Sequence, residues 1–239
     1  MATLPQAPGR TRELAARRAG VSARLVQEAA CVKEAAPDLF EQVKAGSMPA
    51  HRAAKRVRRE QRLAALPATP PPLPPERFGV LLADPPWRSA SPGSEWSPEQ
   101  HYPTMTLSEI KALAVPAAED AALFLWAVNG QLPEALEVMA AWKFEYRTNF
   151  SWVKPSIGLG HWTRNRHELL LLGMRGKVAL PDEEDRPDSV IEAPRGRHSE
   201  KPACVYERIE RMFPGASRIE LFARATRPGW VSWGNEVAA

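Results

Sequence analysis

The residues Asp84-Pro85-Pro86-Trp87 come directly after a short apolar run, Phe78 to Ala83, and that junction is where this chain could do chemistry. The run reads as a strand. Two prolines offer no N–H to a ladder and fix φ, so the chain must leave the sheet at Asp84. A carboxylate at the carboxyl end of a strand stands where open α/β sheets hold their ligands. We expect the two proline carbonyls to face outward with no neighbouring donor. One carboxylate, two such carbonyls and a flat indole on a rigid loop can hold an exocyclic amine on a planar ring. Adenine is such a ring. The same four residues would also serve as a strand-ending turn over a buried Trp, a common use of these types.

The elements that must carry this loop alternate from Arg77 onward. Residues 78–83, 121–128, 144–153, 168–174 and 218–222 read as strands, and 108–114, 132–141 and 201–212 as helices. Such alternation predicts a doubly wound α/β domain. The glycine-rich fingerprint of nucleotide-binding Rossmann sheets is missing from the region.

The first 65 residues read differently. Residues 11–19 form a helix with Leu14 and Ala15 inward, closed by Gly20. Ser22 caps a second helix running to Glu34, with Leu25, Val26, Ala29 and Val32 at helical spacing. Helix, Gly-containing turn and helix make the helix-turn-helix pattern. A third helix, 39–45, ends at Gly46, and a fourth carries His51, Arg52, Lys55, Arg56, Arg58, Arg59 and Arg62. Six prolines in the eleven residues 66–76 make an extended, semi-rigid linker. The expected organisation is therefore a helical module over 10–65, the linker over 66–76 and a catalytic domain over 77–239.

Charge is divided the same way. Residues 10–62 hold thirteen Lys and Arg against six Asp and Glu, so the rest of a chain of net charge +4 is slightly acidic. This asymmetry fits a polyanion-binding module beside a near-neutral body, or a solvated helical surface. No apolar run approaches the ~20 residues of a membrane helix, and no signal core opens the chain. Two cysteines, Cys31 and Cys204, suggest neither a disulfide framework nor a zinc site, which suits a reducing cytoplasm. His161, His167 and His198 match no zinc spacing, so no metal is expected.

The loop and the chain beyond it resemble adenine N6-methyltransferases of the type that includes the eukaryotic mRNA adenosine methyltransferase and its bacterial and phage relatives. The resemblance runs through His101-Tyr102-Pro103-Thr104-Met105-Thr106, Leu123-Phe124-Leu125-Trp126, Trp152-Val153-Lys154, Gly158-Leu159-Gly160-His161-Trp162 and His167-Glu168-Leu169-Leu170-Leu171-Leu172-Gly173. It closes with His198-Ser199-Glu200-Lys201-Pro202, Pro214-Gly215, Ile219-Glu220-Leu221-Phe222-Ala223-Arg224, Gly229-Trp230 and Trp233-Gly234-Asn235-Glu236. In order and spacing it covers residues 77–239. It implies a Rossmann-like methyltransferase fold and S-adenosylmethionine as methyl donor, in a family that also lacks the glycine fingerprint. Asp84, Pro85, Pro86 and Trp87 would be catalytic, with Trp87 and Tyr102 as walls for the base. Glu168 would border the substrate, and Lys154, Arg164 and Arg166 would form a basic loop for a nucleic-acid backbone.

The same likeness assigns Lys201 to the methionine carboxylate and places Asp84 beside the methionine amine. Glu220, Arg224, Ala225, Thr226 and Arg227 would line the ribose and carboxylate region, and Asn235 and Glu236 the ribose hydroxyls and adenine. Ala203 replaces a common acidic residue, and Lys143 a common glycine. The helical module resembles those of partition-type DNA-binding proteins, some of which precede phage methyltransferases. It would present Ser22, Arg24 and Gln27 to base edges and Arg17 and Arg18 to phosphates. The expected function is adenine N6 methylation of DNA. RNA methylation, and a DNA-binding regulator with a scaffold-like catalytic half, remain the other readings. Monomer and dimer both stay open.

Overall fold

A computed structural model of the 239-residue chain describes residues 8–65, 71–88, 103–158, 162–196 and 200–237. Contacts divide it into two compact units, Met1–Leu66 and Pro67–Ala239. No described helix is long and apolar enough to cross a membrane.

The first unit contains α1 (Pro8–Ala19), α2 (Ala23–Ala35), α3 (Pro37–Lys44) and α4 (Ala50–Ala65). Gly20 at φ 64° lets α1 stop, with its own N–H on Arg17 O and the Val21 N–H on Ala16 O. Two residues on, the Ser22 hydroxyl accepts the Leu25 N–H and starts α2. Val32, Leu39, Ala53, Ala54 and Val57 form the small core. The inward residue of α1 is Ala16, 4% exposed, whereas Leu14 is 52% exposed. The expectation for Leu14 and Ala15 is therefore corrected. The turn closes on the Ala16 carbonyl and brings α2 against that face, one residue further round the helix. α4 turns Ala50, Ala53, Ala54 and Val57 inward and leaves His51, Arg52, Lys55, Arg56 and Arg58 in water.

The second unit is built on one seven-stranded sheet in the order β5-β3-β4-β2-β1-β6-β7. The strands are β1 (Phe78–Ala83), β2 (Ala117–Ala127), β3 (Glu145–Val153), β4 (His167–Arg175), β5 (Val190–Glu192), β6 (Arg218–Leu221) and β7 (Val231–Trp233). β1 lies between β2 and β6, parallel to both, and buries Leu81 and Ala83 completely. The sheet is mixed, because β4 runs antiparallel to β2 and β3. Among the described residues between β3 and β4 there is no crossover helix, and the chain doubles back as antiparallel neighbours can. Apolar side chains fill both faces. α5 (Leu107–Lys111) and α6 (Leu132–Ala141) cover one face, while α7 (Cys204–Met212) supplies Val205, Ile209 and Met212 to the other.

Helix α7 starts at Cys204, not Lys201. The residue before a proline is disfavoured in helical conformation, and Pro202 keeps Lys201 in the approach to the helix. Part of the proline-rich stretch lies on the second unit: the Trp233 indole N–H donates to Pro71 O at 2.7 Å, and Leu73 packs on the core.

At the end of α6, Lys143 adopts φ 64° while its N–H bonds Ala140 O and the Phe144 N–H bonds Met139 O. This closing motif usually takes glycine, because a Cβ is crowded in the left-handed region. Replacing the exposed Lys143 by Gly should stabilise the second unit by about 1 kcal/mol. Its thermal midpoint should rise about 2–4 °C, read by calorimetry.

Candidate active site

Asp84 is the first residue beyond β1 and the only ionisable group on the strand or its exit loop as far as Trp87. The loop turns at once. The Trp87 N–H reaches back to Pro85 O at 2.8 Å, and the Met105 N–H donates to Pro86 O at 2.9 Å. The expectation that both carbonyls lack donors is therefore corrected. Trp87 brings the first N–H after the prolines, and the bridge between Trp87 and Met105 brings the second. Each carbonyl oxygen keeps one lone pair.

Trp87 is 7% exposed, and its indole N–H donates to Trp126 O at 3.2 Å. It packs in the core beneath the loop and is not available as a wall for a base. It pins the exit of β1 to β2, which makes it a positioning residue. Tyr102 lies outside the described residues, as do His161 and His198.

An alternating line of charges starts at Asp84. Lys201 Nζ stands 2.7 Å from Asp84 Oδ2 and 3.6 Å from Glu168 Oε2, and Lys154 Nζ bonds Glu168 Oε1. Both lysines lie over indole rings, Lys201 over Trp126 and Lys154 over Trp152. Trp152 and Glu168 are direct cross-strand partners on β3 and β4, which sets this spacing. Lys154 is 9% exposed and committed to Glu168, so its expected place in a backbone-binding surface is corrected. Arg166 and Arg164 are exposed, their Nε atoms donating to Lys154 O and Gly158 O respectively.

Burial pushes the Asp84 carboxyl above its ordinary value, and the charge and hydrogen bond of Lys201 offset only part of that rise. Burial acts the same way on Glu168, but Lys201 and Lys154 together outweigh it and hold the group below its ordinary value. The two carboxylates thus differ. Two lysines hold Glu168 toward its anion, while burial raises Asp84 against the opposing pull of Lys201 and, more weakly, Arg224.

A second group of residues gathers where β6 ends. Glu220 accepts the Tyr206 O–H at 2.9 Å, and the Arg227 guanidinium sits 3.9 Å from the centre of the Tyr206 ring. Burial raises both Glu220 and Tyr206. The chain then takes a left-handed step at Phe222, φ 63°, whose ring meets Trp233 edge-on. Gly234 lies so close to Ala223 that a Cβ would sit 2.5 Å from its carbonyl oxygen. Arg224 pairs with Glu236 at 3.1 Å across this contact. Ala225 and Thr226 are exposed, and Asn235 is half-buried.

Sequence reasoning missed Tyr206, Trp126 and Asn129. Asn129 follows β2, its amide nitrogen 3.1 Å from His167 Nε2, with its buried Oδ1 lacking a partner. Tyr206 could have been found from its place five residues after Lys201, on the first turn of the helix that Lys201 leads into. Among the described residues no three His, Cys, Asp or Glu side chains stand together as a metal site. A cation beside a carboxylate, both half-buried at a strand end, suits the two charges of an amino acid's head group. Glu220, Asn235 and the Arg224–Glu236 pair offer a neighbouring set of acceptors and donors for a nucleoside.

The fold and these residues define a methyltransferase sheet, and comparison with known proteins gives its lineage. Residues 78–236 match the family described as MT-A70, and the chain belongs to that family. It is similar to the Type II methyltransferase M.MunI of Mycoplasma sp, 32% identical over 204 residues, covering 77% of this chain and 88% of that protein. It is also similar to the N(6)-adenosine-methyltransferase MT-A70-like protein of Drosophila melanogaster, 32% identical, and to the human N(6)-adenosine-methyltransferase catalytic subunit METTL3, 30% identical. Each of these two matches covers 67% of this chain but only about a quarter of the relative, 27% and 28%.

Because Asp84 binds its proton more tightly folded than unfolded, its ionisation costs stability above the folded pKa. That cost fades as pH falls through the folded value toward the ordinary 3.8. Asp84→Asn should therefore keep or raise the thermal midpoint at pH 7, with Lys201 still facing Glu168. It should also lower methyl transfer by about 10²–10⁴-fold. In the wild type, the acid limb of kcat/KM should fall above the ordinary carboxylate range.

Proposed function

We propose that this protein transfers a methyl group from S-adenosylmethionine to the N6 amine of adenine in DNA. The observation that carries the proposal is Asp84 at the carboxyl end of β1, held by Lys201, in a chain of the MT-A70 family. The match along most of both chains to a Type II methyltransferase supports DNA over RNA. Two free cysteines suit a reducing cytoplasm.

When bound, S-adenosylmethionine supplies a methyl group on positively charged sulfur. Lys201 would meet its carboxylate and Asp84 would border its ammonium. Glu220, Arg224, Ala225, Thr226, Arg227, Asn235 and Glu236 would form the nucleoside end. The chemistry asked of the chain is narrow. An aromatic amine is a weak nucleophile because its lone pair is spread into the ring. Asp84 accepts one N6 hydrogen, and the free lone pair on Pro85 O accepts the other. Gripping both hydrogens favours a pyramidal nitrogen, so the pair binds the transition state better than the flat ground state. Held at the right distance and angle, the amine needs no strong base. The surplus N6 proton becomes acidic once the methyl is attached and leaves to Asp84 or water. Trp87 keeps the loop rigid, and Lys154 and Glu168 keep Lys201 in place.

The helical unit is the reader of DNA in this proposal. Arg17 and Arg18 end α1 exposed, and Gln27 is exposed on α2. Ser22 is committed to capping α2, and Arg24 to Glu28 at 3.0 Å. Their side chains therefore set the helix first and reach bases second.

Incubation with labelled cofactor and adenine-containing DNA should give labelled N6-methyladenine. Absence of label on any DNA, with cofactor binding intact, contradicts the proposal, and label on RNA alone would shift the substrate. Changing both Arg17 and Arg18 to Ala should lower the slope of log affinity against log salt by about two, measured by fluorescence anisotropy.

A further inference from the structure

The loop between β3 and β4 is tied at its base and carries a bare aromatic. Beyond Val153 the two strands continue as a narrow extension, with the Lys154 N–H on Arg166 O and the Gly158 N–H on Asn165 O, both at 2.8 Å. A Cβ at Gly158 would lie 2.7 Å from Asn165 O, so the backbones there approach closely. This extension begins where His167 and Glu168 open β4, and Glu168 reaches Asp84 through Lys201. It therefore leaves the sheet at the rim of the candidate site.

Trp162 on this extension is 100% exposed and Ile157 54% exposed, while Arg164 and Arg166 beside them are exposed cations. A large flat apolar side chain wholly in water, two and four residues from exposed arginines on an extension that starts beside Glu168, has a specific use on DNA. An adenine paired in a duplex must leave the stack before its N6 can be reached, and its departure opens a gap between neighbouring bases. Apolar side chains inserted between base steps hold such distortions open, and flanking arginines meet the phosphates.

We infer that Trp162 is a wedge that enters the duplex stack and occupies the space vacated by the extruded adenine, with Arg164 and Arg166 on the adjoining phosphates. This rests on the adenine-transfer reading and adds to it a double-stranded substrate. A wedge acts on extrusion alone, so its loss is harmless once the target base is already unpaired.

The test uses the full-length protein and a duplex bearing a sequence it methylates, found by sequencing methylated adenines in DNA from cells that express it. The target adenine is placed either opposite thymine or opposite an abasic site. Trp162→Ala should slow methylation of the paired duplex by about tenfold, the scale of one lost base–aromatic stack. On the abasic-opposed duplex it should stay within about twofold of wild type. Trp162→Phe should recover most of the paired-duplex rate. Equal loss on both duplexes would assign Trp162 to the target base or to the fold and overturn the wedge. No loss on either would overturn it too. Failure of the wild type on both duplexes would instead overturn the adenine-transfer reading beneath it, and the wedge with it.

Discussion

A carboxylate at the end of a buried strand is raised by the water it has lost unless a cation offsets that loss, and Lys201 is the foremost such cation for Asp84. Much of the surrounding structure places these two groups. Pro202 keeps Lys201 out of α7, at the mouth of the sheet. Glu168 anchors Lys201 from the far side, and Lys154 anchors Glu168. Trp126 and Trp152 form a floor beneath the lysines, their rings 5.9 Å apart and edge-on. The line of alternating charges balances locally, two lysines against two carboxylates.

The end of β6 obeys a different rule. There the chain departs from ordinary backbone at Phe222 and brings Gly234 against Ala223, so that two segments distant from Asp84 in sequence stand close together. The Arg224–Glu236 pair closes this contact. Glu220 accepts the hydroxyl of Tyr206, whose ring meets that of Trp230 edge-on at 5.4 Å. Asp84 raises the Glu220 carboxyl and Arg224 lowers that of Asp84, so the two groups of residues share one electrostatic field. One end of the sheet thus carries a charged set of residues around Asp84 and a second set around Glu220.

Much of this could be read from residue order. β1 and α6 fall where the apolar patterns put them, at Phe78–Ala83 and Leu132–Ala141. Ser22, Gly20 and Gly46 mark their caps through chemistry that acts within a few residues. What the sequence hid depends on partners far along the chain. β5 and β7 are three residues long, too short for a period to show, and exist because β3 and β6 offer them an edge. The direction of β4 was invisible because an apolar run looks the same either way. Trp87 and Lys154 have the types of surface-contact residues, and only their burial beside Trp126 O and Glu168 reveals that they hold the site in place. The donors to the Pro85 and Pro86 carbonyls come from the turn itself and from Met105, well beyond the loop in sequence.

The dependence of Asp84 on Lys201 can be measured without any ligand. Carboxyl-carbon NMR titration of Asp84 should give a pKa above the ordinary 3.8 in the wild type, and a higher one in Lys201→Met, where the offsetting charge is gone. A value that does not move on removing Lys201, or one below 3.8 in the wild type, would contradict the account.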